Sequence, residues 1–159
     1  MRTASLVKWM ICLWDLSRYE GGTTYQDCHR QMRTRRPPPT SPDVVERTLR
    51  EGVASGAIGF TAGKVDVEFC IQKYREGFVA AFERFQAKSG TNLINYEGLG
   101  WGNEEAECLA LALKYVAEHC DLEPMDGLYV NISRNPALTT EGVAAVQAAV
   151  EGSRVTAQF

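Results

Sequence analysis

The apolar positions of this chain change period at identifiable places. Residues 131 to 150, "NISRNPALTTEGVAAVQAAV", open β-like and close in an Ala/Val run at helical spacing. Between the two stand Asn135-Pro136, then Thr139, Thr140 and Gly142. Upstream, Val45, Leu49 and Val53 fall on one stripe, which predicts a helix with Ser41 as N-cap, Pro42 at the first helical position and a stop near Gly56. "GAIGFTAGK" reads as a glycine-punctuated loop. Val67, Ile71, Tyr74, Phe78, Phe82 and Phe85 recur at spacings of four and three, predicting a longer helix whose aromatic stripe is core. Gly77 inside it predicts a closely packed neighbour, and Ser89-Gly90 predicts its end.

An offset of 37 relates two segments of the C-terminal half. Ala106, Leu109 and Leu113 match Val143, Val146 and Val150; Trp101 matches Leu138, Glu104 matches Glu141, and Asn103, read as an N-cap, matches Thr140. Each unit is strand, tight turn, N-cap and Ala-rich amphipathic helix, and self-similarity of this kind marks a solenoid. The first strand is ambiguous by one residue, with either Leu93/Asn95 or Ile94/Tyr96 inward, and a slip of one reverses every side chain. Val155, Ala157 and Phe159 alternate as a candidate third strand. An asparagine side chain both donates and accepts, so Asn135 can satisfy backbone groups left open where a strand turns, while Pro136 fixes the exit.

"LYVNISRNPALTTEGVAAVQAAV" resembles a leucine-rich repeat of the ribonuclease-inhibitor type. The resemblance covers 92–152. It places the family's strand positions on Val130 and Ile132, its asparagine on Asn135, its turn apolar residue on Leu138, its helix glycine on Gly142 and its helix core on Val143, Val146 and Val150. In the preceding unit Gly98 stands at the asparagine position. The implied fold is α/β: a short right-handed solenoid of two clear units, preceded by a helical cap over 41–90 and an extended arm over 1–40, with the repeat region at 91–159.

Composition narrows the function. At 45% hydrophobic, 23% charged and net charge −3, nothing points to nucleic acid. The apolar run Trp9 to Trp14 is six residues and is followed by Asp15, too short for a signal core or a membrane span. Five cysteines without CxxC spacing favour a reducing, intracellular setting and buried thiols at Cys108 and Cys120. Cys28-His29 and His119-Cys120 lack ordinary zinc-finger spacing, and no catalytic set or phosphate loop is present, so neither an enzyme, a metal nor a cofactor is expected. His119 reads as a helix C-terminal contact, and Glu104 and Glu105 as N-terminal dipole partners.

The arm carries the partner chemistry in this reading. Pro37 to Pro39 predict polyproline II; Arg36, Pro39 and Pro42 fit R-x-x-P-x-x-P, and Ser41-Pro42 fits proline-directed phosphorylation. Trp9, Met10, Leu13 and Trp14 form an apolar knob that docks on protein or at a lipid interface, with Arg35 and Arg36 beside an acidic neighbour. The expected function is a non-catalytic scaffold, an accessory subunit contacting other subunits of a larger assembly. "GLGWGNEEAECLALAL" is similar to repeats in proteins of unicellular algae, which makes a plastid complex such as a photosystem one candidate host. The alternatives are a leucine-rich-repeat regulator or inhibitor of one enzyme or small GTPase, and a metal- or redox-responsive cysteine module.

Overall fold

The computed structural model describes residues 37–60, 64–89, 92–122 and 127–159, with 64–66 and 84–89 as backbone alone. The chain divides into two bodies, Met1–Arg36 and Pro37–Phe159, and every described residue belongs to the second. Trp9, Met10, Leu13, Trp14, Arg35 and Arg36 therefore lie outside the described residues, as do Cys28 and His29.

The second body is α/β. Its elements are α1 (Pro42–Ala54), α2 (Lys64–Ser89), β1 (Leu93–Asn95), α3 (Asn103–His119), β2 (Leu128–Asn131), α4 (Thr140–Val150) and β3 (Val155–Gln158). The strands form a parallel sheet in the order β1-β2-β3. Parallel neighbours need a crossover, and α3 and α4 supply the two. Among the described residues no helix is long and apolar enough to cross a membrane.

The α1 helix starts and stops where its sequence says. Pro42 occupies the first turn and Gly56, at φ 75°, follows the last. Ser41 makes no side-chain capping bond, however; its backbone carbonyl accepts from Val44 and Val45 instead. The serine is only 3% exposed and Pro42 is fully buried. A motif that needs Pro42 or the Ser41 hydroxyl is thus unreadable while α1 is folded. Residues 37–40 are half-buried, and the Tyr74 hydroxyl donates to the Thr40 carbonyl at 2.9 Å.

The main core joins the sheet's inner face to α3, α4 and α2. Ile94, Tyr96, Leu128, Val130, Ile132 and Val155 meet Ala106, Leu109, Leu113, Val116 and Val146, with Phe78 and Phe82 entering from α2. Val45, Leu49, Val67 and Ile71 are buried outside this cluster, where α1 lies on α2. The aromatic stripe is core as the spacing requires: Phe78 packs edge-on against Tyr115 at 5.6 Å between centroids. The described side chains stop before Phe85. Gly77 is the exception, because a Cβ added there meets nothing within 4 Å.

Candidate functional site

The strand register settles the ambiguity in the first unit. Leu93 pairs with Tyr129, Ile94 with Val130 and Asn95 with Asn131. Ile94 and Tyr96 are the inward pair, at 9% and 6% exposure, while Leu93 stands 40% exposed. These pairs are 36 apart, whereas the helix N-caps, Gly102 and Thr139, are 37 apart. The second unit therefore carries one more residue between strand and helix. Asn103 and Thr140 are the first helical residues and not the caps.

That extra residue changes which positions correspond. Counted from the strands, Gly98 matches Arg134, and both take left-handed backbone, at φ 66° and 57°. Leu99, not Gly98, then stands where Asn135 stands one unit on, and it packs against the core.

Asn135 is buried at 7% exposure and joins the two units. Its Oδ1 accepts from the Trp101 N–H at 3.1 Å, and its Nδ2 donates to the carbonyls of Tyr96 at 3.0 Å and Ile132 at 2.7 Å. One amide thus satisfies backbone of its own turn and of the preceding one. Among the described residues no strand precedes β1 in the sheet, so the Leu99 position has no earlier strand turn to reach and can be apolar.

A second joint links the helix starts. The Thr139 N–H donates to Asn103 Oδ1 at 3.0 Å, and Asn103 Nδ2 donates to Thr139 Oγ1 at 2.9 Å. Thr139 Oγ1 also accepts from the Glu141 N–H, capping α4. In α3 the Glu105 carboxylate takes the Gly102 N–H at 2.9 Å, so the acidic start is a capping arrangement. Gly142 lies in the same seam, where an added Cβ would come within 2.6 Å of Asn103 Oδ1.

The repeat positions read from sequence mostly converge on this seam. Trp101, Ala106, Leu109, Leu113, Val130, Ile132 and Val146 are buried, and Trp101 lies 4.7 Å from the Tyr96 ring. Leu138, Val143 and Val150 are only partly buried, because no further layer covers that side of α4 among the described residues. Val155 is buried, Ala157 half-buried and Phe159 39% exposed.

The opposite face of the sheet was not singled out by the sequence pattern. Two rows run across it, Leu93–Tyr129–Thr156 and Asn95–Asn131–Gln158. None of the six side chains is ionisable except the Tyr129 phenol, and Tyr129 is 51% exposed. Asn95 and Asn131 each accept the N–H two residues on, from Glu97 and Ser133 at 3.0 Å, which fixes both amides at the strand ends. At the rim Arg134 pairs with Glu97 at 3.1 Å. The signal lay in the alternation itself: once Ile94 and Val130 point inward, Leu93 and Tyr129 must point out.

The remaining reactive groups do not converge. His119 stacks on Tyr115 at 4.1 Å with Nδ1 3.1 Å from the Tyr115 carbonyl, as a helix C-terminal contact should. Cys108 is exposed and Cys120 half-buried, so the expectation of buried thiols fails at Cys108, which lies on the outer side of α3. Burial, with a smaller push from Glu83, raises the Cys120 thiol to about 11, which disfavours the nucleophilic thiolate. No cluster of three His, Cys, Asp or Glu side chains arranged to hold a metal occurs among the described residues.

No protein family matches the chain, and neither a curated protein nor a solved structure is similar to it.

Proposed function

We propose that this chain is a non-catalytic interaction protein whose two β-turn-α units form a short leucine-rich-repeat array of the ribonuclease-inhibitor type. The array serves as an accessory or scaffold subunit of a larger protein assembly. The Asn135 joint, reaching from one strand turn to the previous one, supports the repeat reading. The observation that carries the functional reading is the outer sheet face. A surface with one large exposed phenol, one exposed leucine and fixed amides costs little to desolvate, and tyrosine is enriched where binding energy concentrates.

In this proposal the N-terminal segment contributes a second contact through Trp9 and Trp14, with Met10 and Leu13, while Arg35 and Arg36 meet acidic groups. A plastid complex such as a photosystem is the proposed host.

Native mass spectrometry of material purified from its source tests this. The full chain should co-purify with defined subunits. Tyr129→Glu with Leu93→Glu should lose them, while Glu107→Lys on the outer side of α3 should keep them. Trp9→Ala with Trp14→Ala should weaken association more than neutralising Arg35 and Arg36, whose charges salt screens. Retention of every subunit by the Tyr129/Leu93 variant would remove the sheet face from the interface.

A further inference from the structure

The α2 helix is 26 residues long and serves two separate clusters. Before Gly77, Val67 and Ile71 are buried where α1 lies. After it, Phe78 and Phe82 enter the main core beside Tyr115. Among the described residues the bonds that attach α1 fall on the first side: Arg50 pairs with Glu68 at 2.7 Å, Arg75 pairs with Glu46, and Tyr74 holds the Thr40 carbonyl. Two surface bonds within the helix, Gln72 to Glu76 and Lys73 to Glu76, also lie on that side.

Gly77 sits at this boundary without a packing reason. It is exposed, a Cβ would touch nothing within 4 Å, and its backbone is helical. What glycine changes at such a site is the backbone itself, since it is the least helix-favouring residue after proline. We propose that Gly77 is a hinge on which α1 and the part of α2 before Gly77, packed on each other, swing together against the main core. One contact that closes it is Tyr74, which edges the main core and lies 6.3 Å from the Phe78 ring. Opening withdraws Tyr74 and uncovers the neighbouring part of the core around Phe78.

Amide hydrogen exchange on the full chain tests this residue by residue. The N–H groups of 78–81 close the helical turn over Gly77. They should exchange faster than those of 70–73 on one side and those of 110–116 in α3, which report the main core. Gly77→Ala should slow 78–81 about fivefold, the factor matching the helix preference of alanine over glycine, while leaving 110–116 unchanged. Residual dipolar couplings supply the second reading. The two halves of α2 should require separate alignment frames in the wild type and a common frame in Gly77→Ala. Protection of 78–81 equal to that of 70–73, or a single frame already in the wild type, would overturn the hinge.

Discussion

The Asn135 side-chain oxygen accepts the backbone N–H of Trp101, 34 residues earlier, at 3.1 Å inside the core. The same amide donates to the Tyr96 carbonyl of that earlier turn. Asn135→Ala leaves a buried donor and two buried acceptors without this partner, and each unsatisfied group costs about 1–3 kcal/mol. The expected loss is at least the lower end of that range, read as a fall in the urea midpoint with an unchanged slope. A midpoint equal to wild type would show that water reaches the turn and replaces the amide.

Gly142→Ala tests the seam between α3 and α4. Alanine favours helix by about 1 kcal/mol over glycine, so an open site would gain stability. Here the new methyl would approach Asn103 Oδ1 to 2.6 Å, Leu138 Cδ1 to 2.7 Å and Ala106 Cβ to 3.2 Å. Leucine can turn aside, but Asn103 is bonded to Thr139 and the Ala106 methyl cannot rotate away. Overpacking of this kind costs about 1–3 kcal/mol, so the variant should melt below wild type. A higher melting temperature would show that the helices separate freely.

Arg134 and Gly98 share left-handed backbone at matching strand-end positions, yet only one is glycine. A side chain in that region costs roughly 1 kcal/mol. Arg134 is 82% exposed, and its surface pair with Glu97 offsets little of this. Arg134→Gly should therefore raise thermal stability, and Gly98→Ala should lower it. Calorimetry of both variants checks the pair of signs, and a loss in Arg134→Gly would make the Glu97 contact the stronger effect.

Alkaline pH should weaken the fold in two stages. Burial raises Cys120 from 9.0 to about 11 and Tyr74 from 10.0 to about 12. Each folded value lies above the unfolded one, so each neutral group stabilises fully below its unfolded pKa and stops doing so as pH passes its folded pKa. The Cys120 contribution fades between about 9 and about 11, and that of Tyr74 between 10.0 and about 12. Urea midpoints across that window should fall more steeply for wild type than for Cys120→Ala or Tyr74→Phe. Parallel curves for all three would place the alkaline loss elsewhere.

Much of the secondary structure was legible because periodicity and punctuation agree. Pro42 and Gly56 bracket α1, and the four-and-three spacing from Val67 marks α2. The matching of units was legible for the helices and misleading at the turns. Apolar helix positions such as Leu109 and Val146 align at 37, while three-residue β1 offers too few side chains to reveal its own offset of 36. The Asn103–Thr139 lock joins residues that differ in type, so no repeated letter announces it. Tyr129 reads as core in any apolar count until the register turns it outward. Gly77 showed the reverse failure, since a glycine in a helix marks either a close neighbour or a soft backbone, and sequence alone does not choose.

The Asn135 bond also has a direction in time. During synthesis the turn containing Tyr96 and Trp101 emerges first, and the amide that satisfies it emerges 34 residues later. At the usual elongation rate of about 5–20 residues per second, that is a wait of roughly 2–7 seconds. Over that interval the earlier turn depends on water for its hydrogen bonds and on the arrival of Leu128 and Val130 for its apolar cover. A nascent chain halted between the two units should therefore stay open to protease around 93–101, and one released past Asn135 should close there.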